Sequence, residues 1–568
     1  MLIESIESMM WRLSLFVCLI AGAVCEENGV EKESKVVRIS QGSVRGYKNP
    51  ESGIFEFYGI PYAKAPTGQN RFQAPLPAPL WLETLDAVDR GIICYQPAEF
   101  LQMFGQEKVA QEDCLIANVY VPDVDNKNIP VVVYVHGGAF HVGFGDLATP
   151  KNLVRSQNVI AVTFNYRLGV HGFLCLGTKY APGNAGMKDQ VALLRWVQKN
   201  IAKFGGNPDD VTVAGYSAGS ASVDHLLLSP LTKGLFTKAI PESGANTAVW
   251  SVQQDPLRNA KDYAKALNFT NVDDFNALEE FYNTVPYETL TSKSFLDVPD
   301  STFGFSLCVE RETGEDRFLD DTPVNILKNG KYNKVPLLYG FANMEGLFRL
   351  PLFELWKDRM NVKFSDFLPA DLQFENENQK EIVAEQIKKF YFKENSVGAE
   401  TVSDYVDYFT DVIFAYPALR SVKLQVEAGN NNIYLYEYSF VEDIHIPKQY
   451  PSLRGANHCA QTMAVLDGTF VENKAEINVS EDLKNVKATL RELWANFIKT
   501  GNPVPEGSSF PAWPPASANG SPFMELGREL ELKGTLLEER MRFWDAIYEQ
   551  YYRPPVPPPA PPTKHNEL

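Results

Sequence analysis

The sequence predicts an α/β fold: a mostly parallel central sheet covered by helices on both faces, with helical insertions. Short runs at 131–135 (VVVYV), 159–164 (VIAVTF), 211–214 (VTVA), 335–339 (VPLLY) and 433–440 (IYLYEYSF) are β-branched or aromatic and nearly continuous, the pattern of strands buried on both faces. Helix-like stretches separate them. In 189–204, Val191, Leu194, Val197, Ile201 and Phe204 recur every three or four residues, until Gly205-Gly206-Asn207-Pro208 ends the pattern. No repeat, low-complexity run or linker interrupts the chain between Lys35 and Tyr552, so 26–552 is expected to form one compact domain. Residues 261–428 are mostly helical in pattern and break the strand series except near Val335, as an inserted cap would.

The two ends read differently from this body. Residues 13–25 (LSLFVCLIAGAVC) are apolar but fall short of the ~20 that cross a bilayer. Arg12 precedes them, and Ala23 and Cys25 stand at −3 and −1 to a cleavage point, so 1–25 is expected to be a signal peptide leading into the secretory pathway. At the other end, 553–568 is a proline-rich tail with prolines from Pro554 to Pro562, expected to be a stiff exposed stalk. It ends His565-Asn566-Glu567-Leu568, close to a retention signal. Retention in the endoplasmic reticulum lumen by a receptor is the expected consequence, with secretion the alternative.

Composition narrows the function. Of 568 residues 45% are hydrophobic and 22% charged, a globular balance; Lys plus Arg is 53 against 71 Asp plus Glu, a formal charge of −18. That sign is wrong for tracking phosphates, so no nucleic-acid partner is expected. No CxxC pair or HExxH string supports a metal site. Removing the signal leaves cysteines at 94, 114, 175, 308 and 459, an odd set that leaves one thiol free. Cys94 and Cys114 are expected to pair in an oxidising compartment, while Cys175, Cys308 and Cys459 read as small buried fillers. Asn268, Asn478 and Asn519 begin Asn-X-Ser/Thr strings and are glycan candidates.

The chemistry is concentrated at Gly215-Tyr216-Ser217-Ala218-Gly219, which stands between a strand run and a helix-like run. A sharp strand-to-helix turn exposes the serine hydroxyl, and the glycines relieve its crowding. Serine needs a base, and the base needs a third group to fix its tautomer. With the acid and histidine following the serine in chain order, His445 and His458 are the candidate bases. His458, in the glycine-led turn Gly455-Ala456-Asn457, is better placed than His445, which between two isoleucines reads as packed. For the acid, Glu345 lies just past a strand end, where sites on open α/β sheets collect; Asp316, Asp320 and Asp321 are rivals in a charged loop. Ahead of the serine, His136-Gly137-Gly138-Ala139-Phe140 follows a strand and offers backbone N–H groups to a developing oxyanion.

These residues resemble the type-B carboxylesterase and cholinesterase family. The landmarks run in order along nearly the whole mature chain: FYGIPYAKAP with RFQAP (57–75), EDCLIANVYVP (112–122), HGGAF (136–140), NYRLGVHGF (165–173), PGNAGMKDQ (182–190), NPDDVTVAGYSAGSAS (207–222), ESG (242–244), NMEG (343–346) and GANH (455–458). The resemblance implies an α/β-hydrolase fold, Ser217 as nucleophile, Glu345 as acid, His458 as base, and oxyanion amides from Gly138, Ala139 and Ala218. It also implies the Cys94–Cys114 loop, a small ester as substrate, and no metal or organic cofactor. The chain departs from the pattern at Tyr216 and Gln461, where the family commonly has acidic residues. The Cys94–Cys114 loop lacks a Trp to hold a quaternary ammonium, and the elbow lacks the GQSAG form of juvenile hormone esterases. A general, xenobiotic or odorant-degrading insect esterase is the expected type. A slow-turnover sequestering protein or a non-catalytic relative is the alternative.

Overall fold

The computed structural model of the chain describes residues 33–102, 108–293, 298–467, 480–518 and 520–561. In chain order its main strands are β1 (Ser34–Arg38), β2 (Ser43–Lys48), β3 (Phe55–Pro61), β4 (Ile116–Val121), β5 (Ile129–Val135), β6 (Ile160–Phe164), β7 (Gly206–Tyr216), β8 (Lys238–Glu242), β9 (Leu337–Ala342), β10 (Ile433–Tyr438), β11 (Pro522–Leu526) and β12 (Leu530–Thr535). They form one sheet in the order β1-β2-β3-β4-β6-β5-β7-β8-β9-β10-β11-β12. Every neighbouring pair from β6 to β11 is parallel. Both flanks are antiparallel.

Because strand side chains alternate, β5 feeds two cores. Val131, Val133 and Val135 join the larger core with Val191, Leu194 and Val197 of α1 (Ala185–Asn200). Val132 and Tyr134 face the opposite way, against a core that includes Leu493, Trp494 and Phe497 of the helix Glu481–Thr500. α1 begins four residues before the predicted start, and its last turn tightens into a 3-10 turn at Ile201–Phe204, closed by Gly205 in the left-handed region. Its early start depends on small residues: a Cβ on Gly186 would lie 2.5 Å from the Arg167 carbonyl. Further along the chain lie α2 (Ala218–Leu228), α3 (Val402–Thr410), α4 (Ala460–Val465) and α5 (Glu481–Thr500).

Cys94 and Cys114 are joined, as expected, with their Cα atoms 5.0 Å apart. Cys175 and Cys308 are not separate fillers: they form a second disulfide across 133 residues. Gly183 makes room for it, since a Cβ there would stand 2.5 Å from Cys308 Sγ and 2.8 Å from Cys175 Sγ. The free thiol is Cys459, which is buried. His445 is also corrected. It lies exposed on the 3-10 turn Asp443–His445 beside Ile444, which is 81% exposed, because the strand has already ended at Tyr438.

The proline tail is no free stalk over its described part. The Arg553 N–H donates to the Asp371 carbonyl at 2.7 Å and that of Val556 to the Gln254 carbonyl at 3.3 Å, while Pro555 and Pro558 are buried. An extended proline ridge lays its rings on apolar surface and uses its few N–H groups on carbonyls of the body. Asn268 is exposed. Residues 1–25, Asn478, Asn519 and the HNEL ending lie outside the described residues. Among the described residues, no helix is long and apolar enough to cross a membrane.

Candidate active site

Ser217 stands between β7 and α2 with φ 56° and ψ −123°, a backbone state that costs of order 1–3 kcal/mol and persists only where its surroundings impose it. Those surroundings are specific. The Ser217 N–H donates to the Glu242 carbonyl at 2.9 Å, and its own carbonyl accepts from the Ala221 N–H at 3.0 Å. The turn is so tight that a Cβ on Gly219 would strike the carbonyls of Val135 and His136. A serine held in this way presents its hydroxyl beyond the sheet edge, at the head of α2, where the first N–H groups have no helical partner.

Glu345 opens the 3-10 turn Glu345–Leu352 just after β9 and is fully buried. Its Oε1 accepts from the Ala342 N–H at 2.8 Å and the Ser243 hydroxyl at 2.5 Å. Its Oε2 lies 2.5 Å from His458 Nδ1, and His458 Nε2 lies 2.9 Å from Ser217 Oγ. Serine, histidine and glutamate are thus brought together from three separate loops. The histidine loop is fixed to the glutamate loop: the Ala456 N–H donates to Asn343 Oδ1 at 2.8 Å and the Met344 N–H to the Ala456 carbonyl at 3.1 Å. The rival acids are elsewhere, with Asp316 and Asp320 exposed and Asp321 bonded to Thr322 and Asn325.

The loop after β5 runs through Gly138, Ala139 and Phe140 at φ 114°, 54° and 63°. It is fastened by the N–H groups of His141 and Val142 on the Gly138 carbonyl, and by Gln96, which bonds both the N–H and the carbonyl of Gly143. It abuts the serine: a Cβ on Gly137 would stand 2.9 Å from Ser217 Cβ. Gly137 thus brings the start of this loop against the Ser217 turn, and Ala218 follows Ser217 directly at the head of α2. His136 is structural here, with Nδ1 2.8 Å from the Gly137 carbonyl and its ring stacked on Tyr166. Burial lowers its pKa to about 4, as it does for His141, and to about 3 for His171 and His225. All four stay neutral at physiological pH.

What the sequence left unassigned is the wall of the site. The Phe414 and Phe348 rings lie 4.3 and 5.4 Å from the His458 ring, centroid to centroid. Trp250 stacks on Phe303 at 5.1 Å and tilts toward Phe140 and Phe414. Phe414 sits on a π-helical turn, Asp411–Ala415, that follows α3, a device common at functional sites because it re-aims one side chain. Ser243 was also missed as a partner of the acid; its only sequence signal was the ESG string.

A family model described as the Carboxylesterase family matches residues 33–544. The chain belongs to the carboxylesterase family. It is 34% identical over 539 residues to Esterase FE4 of Myzus persicae, covering 89% of this chain and 90% of the relative. It is 31% identical over 519 residues to the juvenile hormone esterase of Heliothis virescens, covering 85% and 88%. The crystal structure of juvenile hormone esterase from Manduca sexta, with OTFP covalently attached, matches with a TM-score of 0.78 at 29% identity, covering 91% of this chain and 100% of that one. The fold is that of the α/β-hydrolase esterases, and the protein is a carboxylic ester hydrolase.

Proposed function

We propose that this carboxylesterase works through an acyl-enzyme formed on Ser217, with His458 as general base and Glu345 as the group that orients it. The observation that carries the reading is His458, whose two ring nitrogens are each bonded, one to Ser217 Oγ at 2.9 Å and the other to Glu345 at 2.5 Å. Nε2 takes the serine proton as Oγ attacks the ester carbonyl. The resulting alkoxide forms against the N–H groups of Gly138, Ala139 and Ala218, each worth ~2.7–4 kcal/mol in the transition state. His458 then returns the proton to the departing alcohol oxygen. Water repeats the sequence: it gives a proton to His458, attacks the acyl carbon, and Ser217 leaves with that proton as the acid is released.

The aromatic wall of Trp250, Phe303, Phe348 and Phe414 supports uncharged, hydrophobic esters as the substrate class. Such a wall suits a general, xenobiotic or odorant-degrading role. The relatives, a juvenile hormone esterase among them, favour an ester hydrolase without selecting one ester for this chain. Ser217→Ala should lower kcat for a p-nitrophenyl ester by ~10⁴-fold or more, with the thermal melt unchanged. An organophosphate should label the wild type at Ser217 alone. Near-normal hydrolysis by Ser217→Ala, or label on another serine such as Ser243, would overturn the assignment.

A further inference from the structure

We propose that Glu242 is a positioning residue for ester hydrolysis, acting through Thr462 and the helix that carries Gln461. Glu242 closes β8 and is fully buried. Its backbone carbonyl holds the Ser217 N–H at 2.9 Å, while its side chain turns away and takes a hydrogen bond from Thr462 Oγ1 on Oε2 at 2.8 Å. Thr462 lies on α4, four residues after His458. The preceding residue, Gln461, donates through Nε2 to Ser243 Oγ at 2.7 Å, and Ser243 in turn donates to Glu345 at 2.5 Å. The path from Ser217 through His458, Glu345 and Ser243 thus closes on Glu242 itself, the residue before Ser243. One residue thus serves both ends: its backbone carbonyl holds the nucleophile's turn, and its side chain seats α4, on which the support of Glu345 depends.

Among the described residues no cationic group acts on this carboxyl. It faces the Tyr134 hydroxyl from β5, the Tyr436 hydroxyl from β10, the Trp494 indole from α5 and Thr462 from α4, with the Tyr216 hydroxyl and Cys459 beyond. Glu242 Oε1, the Tyr134 and Tyr436 hydroxyls, Trp494 Nε1 and Gln461 Oε1 are buried without a hydrogen-bond partner in the protein. A carboxylate here would have no cation to pair with, so burial pushes the acid up to about 8 despite the Thr462 hydrogen bond. At neutral pH it is a neutral acid that adds no charge behind the triad. As it ionises, an uncompensated buried charge works against the ring of hydrogen bonds.

The inference rests on the Ser217 reading, and the experiment keeps the two apart. Steady-state kinetics of the full chain with p-nitrophenyl butyrate from pH 5.5 to 9.5 compares wild type, Glu242→Gln, Glu242→Ala and Thr462→Val. Glu242→Ala should lower kcat at least ~10-fold with KM within ~3-fold, and Glu242→Gln should recover most of that loss at pH 6.5. Thr462→Val, which removes only the hydroxyl, should lose kcat in the same direction and serves if the alanine variant does not fold. The wild-type kcat should bend downward near pH 8, and the glutamine variant should lack that bend. Three results would each overturn the proposal: kcat within 2-fold of wild type in both Glu242→Ala and Thr462→Val, a glutamine variant no better than alanine, or a bend that survives in Glu242→Gln. Organophosphate label absent from Ser217 overturns this inference and the triad reading together; label at Ser217 with unchanged Glu242 variants overturns this one alone.

Discussion

Replacing Glu242 by Gln should stabilise the folded chain, and more so as pH rises, whatever its effect on turnover. Burial raises this carboxyl from 4.5 to about 8. Between those values the folded chain keeps a proton that the unfolded chain releases, so stability falls with rising pH through that window and levels off above it. At pH 7, ~2.5 above the unfolded value and at ~1.4 kcal/mol per pH unit, holding the proton costs the folded state ~3 kcal/mol. Glutamine is neutral at every pH and removes the slope; any fixed penalty from fitting its amide near Tyr134 and Trp494 shifts the whole curve equally. At ~2.1 cal/mol/K per residue, a chain of this length unfolds with an entropy of about 1 kcal/mol/K, so ~3 kcal/mol corresponds to ~3 °C in Tm. Both proteins would be melted at one scan rate, followed by tryptophan fluorescence, from pH 5 to pH 8.5. The difference in Tm between variant and wild type should grow by ~3 °C or more across that range. A difference that stays flat with pH, or shrinks, would refute a protonated buried Glu242.

The other predictions concern groups whose partners the fold supplies. Glu345→Asp should keep more kcat than Glu345→Gln, because a glutamine NH₂ would turn a donor toward the donors of Ala342, Ser243 or His458, and it loses the charge that favours imidazolium; equal rates would argue against the orienting role. Gly219→Ala should abolish turnover while leaving a folded protein, since its Cβ must displace the Val135 strand end beside the elbow; normal kcat would show that the turn tolerates the shift. Asp189→Asn should cost ~3–5 kcal/mol in urea unfolding, because it strips the charge from the carboxylate bonded to Arg167, a pair whose side chains are 1% and 0% exposed; a loss under ~1 kcal/mol would show that water reaches the guanidinium.

The sequence by itself determined the class of fold and the chemistry at its centre. Continuous β-branched and aromatic runs bounded by turn signals read as strands covered on both faces, and a G-x-S-x-G string between such a run and a helical one reads as a tight turn, so strand, elbow and helix were legible in consecutive residues. Glu345 was legible as a candidate from its place just past a strand end, and His458 from chain order and its glycine-led turn; the ordered motifs narrowed the remaining alternatives. Tertiary structure decided what depends on distance across the chain. Cys175 and Cys308 carry no local sign of each other, and only the packing around Gly183 pairs them. Ile444-His445-Ile446 looks like core by composition, yet it is a surface turn because the strand ends six residues before Ile444. The proline segment looks like a stalk because its backbone has few donors; whether its rings meet solvent or the body depends on a surface built from residues around 177, 254 and 371. The roles of Ser243, Gln461 and Glu242, and of the aromatic wall at Trp250, Phe303, Phe348 and Phe414, likewise come from separate elements meeting at one place. A periodic pattern fixes which face of an element is buried, but which groups share that burial is settled only when the elements pack.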